Sequence, residues 1–152
     1  MLQAMNRADN QTFMLLTKRA DILMEVLDTW LRGTRYAPQN IWLGVSVENQ
    51  STANTRLPYL AEIGDRLKVY TFVSFEPLLE PVLLGDYAKY IDLAIVGAES
   101  GKGARPMDED WVRSLRDEVK AANKSFFYKQ NVVNGRKVSL PELDGKVWSE
   151  LP

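Results

Sequence analysis

Five times along this chain an apolar run stops abruptly on a charged or amide side chain. FMLLTKR ends on Lys18 and Arg19, IWLGVSVEN on Glu48, VYTFVSFEP on Glu76, LAIVGAES on Glu99, and SFFYKQ on Lys129 and Gln130. Near-continuous apolar runs mark parallel strands buried on both faces, and the carboxyl ends of such strands gather the chemistry of α/β folds. The pattern predicts strands over 12–17, 41–47, 69–75, 92–97 and 125–129.

Between the strands the apolar period changes from two to about 3.6. Ile22, Leu23, Val26, Leu27, Trp30 and Leu31 form one helical stripe, with Gly33 as its terminator and 36–40 as the return loop. Asn49 and Ser51 are good N-caps for a weaker helix carrying Ala53, Leu57, Leu60, Ala61 and Ile63, which Pro58 is expected to kink or restart. An irregular connection follows strand three, with a short helix near 84–90. Asp108 caps the last helix, whose first turn holds Glu109 and Asp110 and whose stripe is Trp111, Val112, Leu115, Val119 and Ala122. The tail from about 131 to 152 reads as turn-rich, packing on the rest through Val147 and Trp148. Strands alternating with helices predict an α/β fold with about five parallel strands, either an open sheet or a partial (β/α) barrel. At 152 residues the chain is short for a full eight-fold barrel, which takes about 250. One domain over 1–152 is expected.

Composition narrows the chemistry more than the fold. The chain has no cysteine, which excludes thiolate nucleophiles, disulfides and iron–sulfur ligation by its own residues, and no histidine, the commonest general base. The net charge of −1 argues against tight phosphate-driven nucleic-acid binding. No apolar stretch approaches the length of a membrane span and the start lacks a signal-peptide pattern, so a cytoplasmic protein is expected.

Glu48, Glu76 and Glu99 are the leading site candidates, since three carboxylates at one rim can hold a cation, an amine or ribose hydroxyls. They can equally form a structural network with Lys18, Arg19, Arg105 and Lys129. Ser46 and Ser74 each precede a glutamate by two residues and so share its sheet face, placed to support the carboxylate. Gly97 admits either a ligand or a strand-to-loop bend, and Ser100, Arg105 and Gln130 complete the candidate ligand set. The ESGKGARP loop has glycines and cations suited to phosphate but lacks Walker spacing, and the acidic helix start beyond it repels anions. The tryptophans and tyrosines sit mostly at core-facing spacings rather than forming a stacking platform.

The order FMLLTKR, WLGVSVEN, FVSFEPLLEP, IVGAESGKGARPM, FFYKQ and LDGKVWSELP resembles an uncharacterised family of phage and bacterial proteins related to radical S-adenosylmethionine barrels and, distantly, to spore photoproduct lyase. The resemblance covers about residue 10 to the end and implies the C-terminal half of a radical-SAM-type barrel, without the N-terminal half that carries the cluster cysteines. It implies S-adenosylmethionine as a possible ligand and no cluster bound by this chain. A half-barrel leaves the Thr12–Leu16 strand edge uncovered, so self-association or a protein partner is expected there. Three functions follow as expectations. The first is a phage-type protein acting by binding a partner, for example inhibiting a bacterial defence complex. The second is part of a split or truncated enzyme whose glutamate rim binds a SAM-like ligand. The third is a nucleic-acid-associated protein.

Overall fold

The computed structural model describes residues 2–8, 10–30 and 39–152. Helix α1 (Leu2–Arg7) leads into β1 (Phe13–Thr17), followed by α2 (Ala20–Trp30), β2 (Ile41–Ser46), α3 (Gln50–Leu67) and β3 (Thr71–Phe75). A 3₁₀ helix (Gly85–Tyr90), β4 (Leu93–Gly97), α4 (Glu109–Ala121), β5 (Ser125–Val133) and β6 (Arg136–Ser139) follow, and β7 (Glu142–Leu143) with β8 (Lys146–Val147) makes a small hairpin. The main sheet has the order β1-β2-β3-β4-β5-β6, with β1 to β5 parallel and β6 antiparallel to β5. The strands follow one another in order, and α2, α3 and α4 pack on the same face of the sheet through its buried residues. The sheet curls away from the helices into a half-barrel, so Met14 and Leu16 of β1 and Phe127 and Lys129 of β5 line a single concave cavity.

Side-chain parity divides the strands between two environments. Val45, Val73, Phe75, Ala94, Val96, Phe126 and Tyr128 point to the helix layer and form the larger core with α3 and α4 residues such as Leu57, Leu60, Val112, Leu115 and Val119. A second core under α2 joins Met24 and Leu27 to Ile41, Leu43, Ile63 and Leu67. The alternate residues, among them Phe72, Ser74, Glu76, Leu93 and Ile95, face the concave side.

Several expectations change. Helix α3 runs unbroken through Pro58, because Pro58 lies on the exposed face while Ala53, Leu57, Leu60, Ala61, Ile63 and Leu67 hold a continuous buried stripe. Its start is fixed by a reciprocal cap: Asn49 accepts from the Thr52 amide and Thr52 from the Asn49 amide, leaving Ser51 exposed inside the helix. On α2 the buried stripe is rotated: Ala20, Met24 and Leu27 are inside, while Ile22 and Val26 are exposed. Among the described residues α3 packs most on α2, Met5 of α1 reaches the core beneath it, and the flank with Ile22 and Val26 stays exposed. Strand five is longer than expected and turns back into β6, a hairpin whose tip holds Asn134 and Gly135 in the left-handed region. Tail packing is carried by Leu143 and Trp148; Val147 is exposed, because strand alternation turns it away from Trp148. Leu31, Gly33 and the first part of the 36–40 loop lie outside the described residues.

The two sheet edges are treated oppositely. Along β5, β6 pairs with 130–133, while the tail pairs with 126–128: the Tyr128 amide donates to the Trp148 carbonyl at 2.8 Å and the Glu150 amide to the Phe126 carbonyl at 3.2 Å. The Glu150 carboxylate takes the Phe126 amide (3.1 Å) and the Lys120 ammonium (2.7 Å), tying that tail to α4. Along β1, no described strand pairs on the side away from β2. The Phe13 amide donates to Asn40, so Phe13, Leu15 and Thr17 face β2, and the backbone groups of Met14 and Leu16 point outward.

Candidate functional site

The carboxyl ends of the strands are built so that each glutamate meets its own cation. Glu48 follows β2 and is only 12% exposed at its side chain; Lys18 Nζ lies 2.7 Å from Oε1 and Arg56 donates to Oε2 at 2.8 Å. Burial alone would push the Glu48 carboxyl up, but the two cations outweigh it and hold the pKa below its ordinary value. Arg56 also donates to the Ser46 carbonyl at 2.6 Å, so one guanidinium clamps both the end of β2 and the carboxylate beyond it.

Glu76 follows β3 and accepts through Oε2 from Lys129 Nζ at 3.0 Å and from the Ser74 hydroxyl at 3.3 Å. Gly97 makes room for it: a Cβ there would stand 2.5 Å from Glu76 Oε1, 3.0 Å from Glu76 Cγ and 3.0 Å from Gln130 Cγ. Gln130 is buried and bridges strand ends, its side-chain amide donating to the Ala98 carbonyl at 2.8 Å. The segment after Pro77 is pinned on both sides of β3, with the Leu78 amide on Gly97 O (3.1 Å) and the Leu79 amide on Glu48 O (2.9 Å).

Glu99 takes a bidentate pair from Arg105 (2.7 and 2.9 Å) plus the Arg105 amide at 2.9 Å, which closes the 99–105 loop on itself. That arginine, by its side-chain and backbone hydrogen bonds, lowers the Glu99 pKa to about 2. Ser100 begins this loop and is exposed. Arg19 does not join the rim: its guanidinium turns to Asp21 at 3.3 Å, because Asp21 in the first turn of α2 is nearer than any strand-end glutamate. Among the described residues no group of three or more acidic, histidine or cysteine ligands could hold a metal ion.

Only part of the candidate set faces the concave side. Ser74, Glu76 and Lys129 line the polar end of a cavity of ≈ 520 Å³, whose walls are Met14, Leu16, Phe72, Leu93, Ile95, Phe127 and Leu151. A family model describing proteins of unknown function, DUF5131, matches residues 1–152. The chain belongs to that family. No curated protein and no solved structure matches it. Membership in DUF5131 carries no statement of activity, and the match gives no support for kinship with radical-SAM barrels or spore photoproduct lyase. A four-iron cluster does not fit this chain's residues, since there are no cysteines to ligate it.

Three features of the site escaped the strand-end reading. Arg56 is the second cation on Glu48, and the signal for it was the Asn49–Thr52 cap, which starts α3 so that its second turn passes over the end of β2. Phe72 and Gly44 form the tight floor: a Cβ at Gly44 would lie 2.5 Å from the Phe72 ring, and a glycine inside an apolar strand is the sequence sign of such an approach. Leu151 reaches the cavity from the tail, which no periodicity announces.

Proposed function

We propose that this chain acts by binding, as a half-barrel that receives one βα unit of a partner polypeptide against β1 and α2. The observation that carries the reading is the asymmetry of the sheet. At one end the outermost strand is the short β6, which carries Arg136 and Lys137, with the tail paired to β5 beside it, whereas at the other β1 presents the outward backbone of Met14 and Leu16 with no charged residue between Phe13 and Thr17. An unprotected edge of this kind invites a pairing strand. Apolar side chains are exposed on both sides of that edge: Met14 (43%) and Leu16 (50%) on the concave face, Ile22 and Val26 on the flank of α2. A strand alone would cover the first pair, and a helix alone the second. A βα unit covers both layers at once, which is how β2 and α3 already cover the other side.

Photo-crosslinking residues placed at 16 and 26 test this. The expected result is one shared partner captured at both positions and none at position 137 on β6; different proteins at 16 and 26, or no adduct at either, would sink it. An adduct of twice the chain's mass would make the partner a second copy. A component of a bacterial defence complex is one identity such a capture can reveal.

A second reading is favoured by Gly97 and the cavity: a SAM-like ligand bound on the concave face beside Glu76. It predicts that S-adenosylmethionine raises the melting temperature and that Glu76→Gln removes the rise; no rise at millimolar ligand overturns it.

A further inference from the structure

Within the concave cavity the polar groups are few and sharply placed. Glu76 spends one carboxylate oxygen, Oε2, on both Lys129 and Ser74. Among the described residues no hydrogen bond reaches Oε1, which lies over the bare backbone of Gly97. Lys129 is 52% exposed and has Glu76 as its ion-pair partner, so an ammonium with N–H groups to spare stands beside a carboxylate oxygen with free lone pairs. Glu76 itself is only 17% exposed. The remaining walls are apolar, with Phe72, Leu93, Ile95 and Phe127 on the sheet and Leu151 on the tail.

We infer that this cavity binds a zwitterion with an apolar body, namely a free α-amino acid with a large hydrophobic side chain. The ligand ammonium sits on Glu76 Oε1 and its carboxylate on Lys129 Nζ, so each ligand charge meets its opposite and the internal pair becomes a ring of four alternating charges. A lone cation would have to compete with Lys129 for Glu76, and a lone anion with Glu76 for Lys129; the zwitterion competes with neither. A cavity of ≈ 520 Å³ falls within the usual range for small-molecule sites. The absence of a side chain at Gly97 leaves room for Oε1 where it stands. The inference replaces the SAM-like ligand of the reading above with an apolar amino acid and rests on the same cavity. It does not require a purine, nor the docking partner.

Isothermal titration or ligand-observed NMR on the full chain tests it with L-phenylalanine, phenylalaninamide (no carboxylate) and 3-phenylpropionate (no ammonium). The expected result is saturable binding of phenylalanine, with each truncated probe at least about tenfold weaker, the loss of roughly one charge-assisted contact. Lys129→Met should bring phenylalanine down to the level of phenylalaninamide, and Glu76→Gln down to that of 3-phenylpropionate, while Lys137→Met on β6 changes nothing. Lys129 is exposed enough that its replacement keeps the fold, which circular dichroism verifies. Equal binding of all three probes, or no saturable phenylalanine binding, overturns the inference. If S-adenosylmethionine shifts the melting temperature while phenylalanine does not bind, the inference of an apolar amino acid falls and the SAM reading stands. If phenylalanine binds and S-adenosylmethionine does not, the reverse holds.

Discussion

Replacing Gly97 with alanine tests the packing at the centre of the rim. The added methyl would meet Glu76 Oε1 at 2.5 Å and Glu76 Cγ at 3.0 Å, so the carboxylate must swing away. Swinging away forfeits the pair with Lys129, worth about 0.5–1 kcal/mol for a half-exposed cation, and the Ser74 hydroxyl bond, worth about 1 kcal/mol. Against that, removing a glycine from the unfolded chain stabilises by about 0.5 kcal/mol. The net is a loss of about 1 kcal/mol, or roughly 2–4 °C in melting temperature for a chain of this size. Glu76→Ala removes both colliding atoms. In that background Gly97→Ala should be neutral or slightly stabilising, so a double-mutant cycle by chemical denaturation should give a coupling of about 1–2 kcal/mol. The contact with Gln130 Cγ at 3.0 Å is present in both backgrounds and cancels. Equal effects of Gly97→Ala with and without Glu76 would refute the reasoning, as would a gain in stability in the otherwise native chain.

Two other perturbations follow from the same structure. The Glu48 pKa is depressed in the fold, so the stability it contributes is present above the unfolded value near 4.5 and lost as pH falls through the folded value. Denaturation curves should therefore show Glu48→Gln weaker than the native chain by about 1–2 kcal/mol at pH 7, with the gap closing as pH falls below the ordinary carboxylate value; a gap independent of pH would contradict the assignment. Trp148→Ala should cost about 2 kcal/mol, less than a fully buried tryptophan, and should speed proteolysis after Leu140, because the ring packed on Phe126 anchors the backbone whose carbonyl holds Tyr128. Unchanged proteolysis would mean that the tail is held by other contacts.

Much of this architecture is legible in the residues, and the failures have physical causes. The first four strands, and the start of the fifth, came through within a residue or two because each is an apolar run with a charged end. The Asp108 cap and the α4 stripe were equally plain. Pro58 misled because local propensity was set against a long buried stripe, and the stripe prevailed. The α2 stripe misled differently: Ile22 and Val26 are spaced as core residues, but the described residues leave them exposed, so the stripe alone did not fix which face is buried. At the rim the sequence located the charges but not their pairing. Lys18 and Arg19 are adjacent, yet only Lys18 reaches Glu48, and Arg56 comes from a helix that strand-end reasoning did not search. The extension of β5 and the pairing of the tail with it depend on contacts distant in sequence, which local patterns do not encode.

The open edge of β1 can be read directly by amide hydrogen exchange on the dilute chain. The Met14 and Leu16 amides should exchange near unprotected rates, while those of Phe126 and Tyr128, equally outward on the opposite strand but held by Glu150 and Trp148, stay protected. Protection at Met14 and Leu16 in a chain shown by light scattering to be monomeric would contradict the half-barrel as a surface waiting for a strand.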